Sequence, residues 1–144
     1  MSKLDDLIQA AKAEVTAPQT EQIEVLIGEQ LAVFEFTKLE PMKWRNLIAS
    51  FMPRADSQRD LVLGYNYDAL PSGFPASHIK LVDGETREPV TEEQWRDVFA
   101  VLESPDIFNV ATTIWGLHEY NFEQKAEKAK KALARQKSST SQKR

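Results

Sequence analysis

His78 and His118 are the only histidines in the sequence, and they lie in different segments with no acid at the spacing of an H-E-x-x-H ligand pair. Each therefore reads as a structural residue at a surface or core edge rather than as a metal ligand or proton shuttle. Cysteine is absent, which removes disulfides, thiolate metal sites, iron–sulfur clusters and cysteine nucleophiles together. The sequence contains no G-x-S-x-G elbow, no G-x-x-x-x-G-K-[ST] loop and no G-x-G-x-x-G fingerprint, and its five glycines leave little for a phosphate cradle. Carboxylates occur close together as Asp5/Asp6, Asp56/Asp60, Asp83/Glu85 and Glu92/Glu93. All of these fall where acids serve helix starts and turns, and nothing orders them into a general acid and base. No catalytic residue, cofactor site or metal site is expected. The chain reads as a binding module rather than an enzyme.

Side chains suited to contact are more plentiful. Trp44, Trp95 and Trp115 each sit in a helical apolar stripe and read as core anchors. Tyr65 and Tyr67, with Phe74 nearby, lie instead in an irregular connection. Two readings fit them: a contact surface, or a loop that tucks its aromatics inward. A third candidate is a hairpin. Gln22 to Ile27 and Gln30 to Phe36 are β-type runs separated by Gly28-Glu29, and glycine at the first central position suits a type II′ turn. Pairing Ile27 with Gln30 puts Val25 opposite Ala32 and Ile23 opposite Phe34, so Ile23, Val25, Ile27, Ala32, Phe34 and Phe36 share an apolar face. The other face holds Gln22, Glu24 and Glu35 together with Leu26, Leu31 and Val33. That half-apolar face calls for a cover, either another element or another subunit.

The elements that position these residues follow from periodicity. Leu4, Leu7, Ile8, Ala11 and Val15 mark an amphipathic helix, and Thr16 to Thr20, with Pro18, forms a linker. Pro41 opens a helix carrying Trp44, Leu47, Ile48 and Phe51, which Pro53 closes. Residues 54–73 read as a long connection with at most a short helix. Phe74-Pro75 is expected to open another short helix through Ile79 and Val82, stopped at Asp83-Gly84. Thr91 and Gln94 have the form of a capping box for a helix burying Trp95, Val98, Phe99 and Leu102. Ser104-Pro105 repeats the start signal, serine as cap, for a long helix with Ile107, Phe108, Ala111, Ile114, Trp115, His118 and Phe122 on its stripe. Beyond Phe122 strong helix formers continue without a sustained apolar face, and a solvated helix fraying into disorder at Ser138 is expected.

With 144 residues, 42% hydrophobic and 28% charged, the chain suits one globular domain with a modest core. The expected class is α+β, mainly helical: an N-terminal β-hairpin packed on a small bundle of about four helices, with a charged C-terminal helical or disordered tail. The parts are an N-terminal helix and linker (1–20), a globular domain (21–122) and a basic, partly disordered tail (123–144). Net charge is −4, but residues 123–144 hold eight basic side chains against two acids, a net of +6, leaving −10 for residues 1–122. Such an acidic body is not expected to hold nucleic acid, and the tail is the single exception. No apolar run reaches the roughly 18 residues of a membrane span, and MSKLDDLIQAAKAEV has acids where a signal peptide needs a basic flank. A cytosolic protein without membrane contact is expected.

The order of these features resembles a known family. The hairpin ends in Phe34-Glu35-Phe36, the next helix carries P-x-x-W-x-x-L-I from Pro41 to Ile48, and an LP…FP stretch runs from Leu70 to Pro75. A T-E-E-Q-W helix follows at Thr91 to Trp95, and a P-D-x-F-N helix begins at Pro105. Over about Glu21 to Phe122 this resembles the tail assembly chaperones encoded just upstream of the tape measure protein in siphophages and related prophages. The resemblance implies a non-enzymatic protein of the host cytoplasm that keeps the tape measure protein soluble during tail assembly and is absent from the mature virion. It also implies a longer frameshifted form whose extension recruits the tail tube protein. No catalytic residues transfer. Leu26, Leu31, Val33, Tyr65, Tyr67 and Phe74 are the candidate partner-contacting residues, and self-association is a further expectation. Two rival classes are a structural tail or head-completion subunit and a nucleic-acid-binding protein acting through the basic tail.

Overall fold

A computed structural model describes residues 2–14 and 18–142, with side chains through residue 138. Ten regular elements follow in order: α1 (Lys3–Glu14), β1 (Thr20–Ile27), β2 (Gln30–Thr37), α2 (Pro41–Ala49), α3 (Gln58–Leu63), β3 (Ile79–Asp83), β4 (Thr86–Pro89), α4 (Glu92–Val101), α5 (Ser104–Trp115) and α6 (Asn121–Gln142). Short 3-10 turns occupy Leu70–Gly73 and Ala76–His78, and a π-helical turn, Gly116–Tyr120, joins α5 to α6. The class is α+β and mainly helical.

The β1–β2 hairpin has the expected register, with Ile27 opposite Gln30, Val25 opposite Ala32 and Ile23 opposite Phe34. Gly28 takes φ +63° and Glu29 does not enter the left-handed region, as a type II′ turn requires. The sheet is larger than the hairpin alone. The segment expected to be a helix through Ile79 and Val82 is instead β3, paired antiparallel to β2 with Phe36 opposite Ile79 and Val33 opposite Val82. Gly84 at φ +62° turns it into β4, which completes a four-stranded sheet in the order β1-β2-β3-β4. Pairing with the Val-Phe-Glu-Phe run of β2, more than forty residues away, outweighs the weak local helix signal after Pro75.

One face of the sheet supplies Val25, Phe34, Phe36 and Ile79 to a core shared with Trp44 and Ile48 of α2, Trp95 of α4, and Val110, Ala111 and Ile114 of α5. Trp95 is fully enclosed. It meets Phe34, Phe36 and Phe99 edge to face, and its indole N–H donates to the Pro71 carbonyl over 2.8 Å. The capping box of α4 is formed, with Gln94 N–H donating to Thr91 Oγ1 and Thr91 N–H donating to Gln94 Oε1. α5 departs from expectation at two points. Its N-cap is Glu103 rather than Ser104, with no side-chain cap. Its buried line is Val110, Ala111 and Ile114, continued by Leu117 and His118 of the π-helical turn, while Phe108, and Phe122 at the start of α6, are exposed. α2 ends at Ala49, before Pro53, and the 123–144 segment is helical through Gln142.

Candidate binding surfaces

The outer face of the sheet carries Leu26 and Leu31 opposite one another, 41% and 68% exposed, and next to them Val33 opposite Val82, both partly exposed. Period-two alternation forces this placement once Val25, Phe34 and Phe36 turn inward. Charged and polar side chains frame the strip. Glu35 pairs with Arg87 over 3.2 Å and accepts from Gln22 Nε2 over 2.9 Å, while Glu24 and Lys80 lie on the same face. The strip is bounded at its β1 edge by α5, whose Asp106 carboxylate accepts the Leu26 N–H over 2.7 Å.

The aromatic loop resolves in the opposite sense to its candidacy as a surface. Tyr65, Tyr67 and Phe74 are buried, at 1%, 5% and 0% exposure, so exposure does not support a contact role for any of them. The reason lies in Asp60, a fully buried carboxylate in the first turn of α3. Arg54 donates to it from Nε and Nη2, over 2.7 and 3.1 Å, and from its backbone N–H over 3.1 Å. Tyr67 N–H adds a further hydrogen bond over 3.2 Å. These bonds hold Asp60 well below the ordinary carboxylate range, Arg54 being the largest cause, although burial pulls the other way. They also fold the 54–67 segment back on itself, so that Tyr65 packs on Trp44 and the Tyr67 hydroxyl donates to Thr112 Oγ1 of α5. Nothing in the local sequence marks Asp60 as the organiser of this loop.

Folding the tyrosines inward exposes different side chains. Val62 of α3 is 76% exposed and Phe108 of α5 is 45% exposed, and with Leu63, Tyr67 and Trp115 they line an apolar depression of about 520 Å³. Arg59 also lines it, its guanidinium carbon lying over the rings, 4.6 Å from the Tyr67 ring centre and 5.3 Å from that of Phe108. A sequence signal for this surface exists in the seven-residue spacing of Phe108 and Trp115 within α5, which places both on one line beside the buried stripe.

A cleft of about 550 Å³ lies where α2 meets the π-helical turn, between Lys38, Trp44, Arg45, Glu119 and Phe122. His118 at its base is 7% exposed and stacks on Trp44. Its Nε2 accepts the Leu39 N–H over 2.9 Å, which requires the neutral tautomer with the proton on Nδ1, and that proton is donated to the Ile114 carbonyl over 2.8 Å. Burial pushes the imidazole down to about 4, so it is neutral at physiological pH. This is the bonding of a structural histidine. Glu119 is shifted upward by burial and by Glu123. The Arg45 guanidinium opposes that shift, and Trp44 Nε1 and Glu119 Oε2 are both buried without a hydrogen-bond partner.

Among the described residues, no three His, Asp or Glu side chains are grouped to hold a metal ion, and no helix is long and apolar enough to cross a membrane. No protein-family model matches the chain, and neither does any curated protein or solved structure.

Proposed function

We propose that the chain is a non-enzymatic binding protein that acts as a tail assembly chaperone, holding the long helical tape measure protein soluble while tail subunits polymerise around it. The observation that carries this reading is the strip Leu26, Leu31, Val33 and Val82 on a sheet face that no helix of the described chain covers. An amphipathic helix presents a stripe of matching character, and the frame of Glu24, Glu35, Lys80 and Arg87 offers both signs of charge to its polar flanks. The depression beside Phe108 and Val62 gives a second apolar contact, and repeated weak contacts along one filament gain avidity. The resemblance to that family in the order of features over about Glu21 to Phe122 supports the choice of client.

Co-expression with a tape measure protein tests the proposal. The wild-type chain is expected to keep the client in the soluble fraction and to co-purify with it. Leu26→Asp/Leu31→Asp places two charges on exposed positions and should reduce recovery by roughly tenfold or more, because an unpaired charge is desolvated on binding. Unchanged recovery with an intact fold excludes the sheet face as the client site.

A further inference from the structure

Every described residue of α1 is exposed, including Leu4 at 64%, Leu7 at 58% and Ile8 at 42%. α6 is nearly as bare. From Asn121 to Ser138 only Ala126 is partly covered, while Phe122 and Leu133 stand out at 64% and 52%. A helix the length of α1 is marginal in water without tertiary packing, so its apolar stripe needs a cover.

The two stripes match. On α1, Leu4, Ile8 and Ala11 fall at i, i+4 and i+7, with Leu7 beside them. On α6, Phe122, Ala126, Ala129 and Leu133 fall at i, i+4, i+7 and i+11. Alternating steps of four and three are those of helices packed along a shared seam. The flanks are complementary as well. Lys125, Lys130 and Lys137 border the α6 stripe, where Glu123 is the one acid, whereas Asp5 and Glu14 border that of α1, where Lys12 is the one cation. One cross-pair is already made, Lys125 Nζ lying 3.1 Å from Glu14 Oε2 within the chain. Even so, Leu4, Leu7, Phe122 and Leu133 remain open, so the chain's own α6 does not cover α1.

We propose that α1 and α6 of two copies of this chain pack together as a four-helix bundle, making the protein a homodimer. The α1 stripe of one copy lies on the α6 stripe of the other, and acid–lysine pairs of the Glu14–Lys125 kind run along the seam. This assembly is independent of the client proposed above.

Because the chain has no cysteine, Leu7→Cys/Leu133→Cys introduces the only thiols. Oxidation of that full-length variant is expected to yield a covalent dimer. In sedimentation, the wild-type chain should run as a dimer, and Leu7→Asp or Leu133→Asp as a monomer with unchanged near-UV dichroism, since neither side chain belongs to the core. An oxidised product that stays monomeric would mean that α1 closes on its own α6, and would overturn the proposal. So would a wild-type monomer at about 100 µM, or a dimer that survives both aspartate substitutions.

Discussion

His118 stacks nearly face to face on Trp44, with ring centres 4.1 Å apart and planes 14° from parallel, and both of its nitrogens are committed to backbone groups. Protonation would put a proton on Nε2, against the Leu39 N–H that it now accepts. The folded imidazole titrates at about 4 against 6.5 for a free one, so the unfolded chain binds the proton first. Stability from this group is complete above pH 6.5, falls as pH drops from 6.5 to about 4, and changes no further below that. The loss is on the order of 3 kcal/mol. Glu119 acts in the opposite sense, since its raised pKa favours the folded state as it protonates. Urea titrations across this range should show a falling stability whose slope shrinks in His118→Phe and steepens in Glu119→Gln.

Asp60 governs a separate and lower pH window. Its carboxyl is held below its free value of 3.8, so the stability it contributes is present above that pH and is lost as pH falls further. Asp60→Ala leaves the Arg54 and Tyr67 N–H groups without their acceptor and should cost about 3 kcal/mol at neutral pH. Thermal unfolding measures this. Tyr65 and Tyr67 should gain solvent exposure in the variant, visible in tyrosine absorbance, because their burial depends on the loop that Asp60 ties.

At the start of α4, Thr91→Ala removes the acceptor of the Gln94 N–H and half of the capping box. A cost of about 1 kcal/mol is expected. Thr91→Ser, which keeps the hydroxyl, should recover most of it, and chemical denaturation of the two variants makes the comparison.

What the sequence discloses here depends on how local the deciding contact is. The Thr91–Gln94 box and the Gly28 turn are settled within a few residues, so cap and hairpin register can be read directly. β3 cannot, because Ile79 to Asp83 is a short run whose strand state depends on pairing with β2. The binding surfaces divide in the same way. Leu26 and Leu31 face outward by strand alternation, a local rule. Tyr65, Tyr67 and Phe74 are buried through contacts with α2, α5, β2 and the 54–60 loop, which no spacing rule near residue 70 encodes. Phe108 sits in a helical pattern wide enough to admit two faces, and only the packing of Val110 and Leu117 shows which one is core.

The bond from Leu26 N–H to Asp106 ties two of these features together. In a two-residue hairpin the closing pair, Ile27 with Gln30, exchanges its hydrogen bonds, so the N–H of the next residue, Leu26, points away from β2 toward the open edge of the sheet. An unpaired edge N–H invites another strand, and here the Asp106 carboxylate occupies it from the first turn of α5. Asp106→Leu should therefore lower stability by about 1 kcal/mol, a modest figure because water can replace the carboxylate at a partly exposed site. The sharper readout is hydrogen exchange. The Leu26 amide should lose protection in the variant while the Val25 amide keeps its own, and equal protection of Leu26 in both proteins would mean that the carboxylate does not hold the edge.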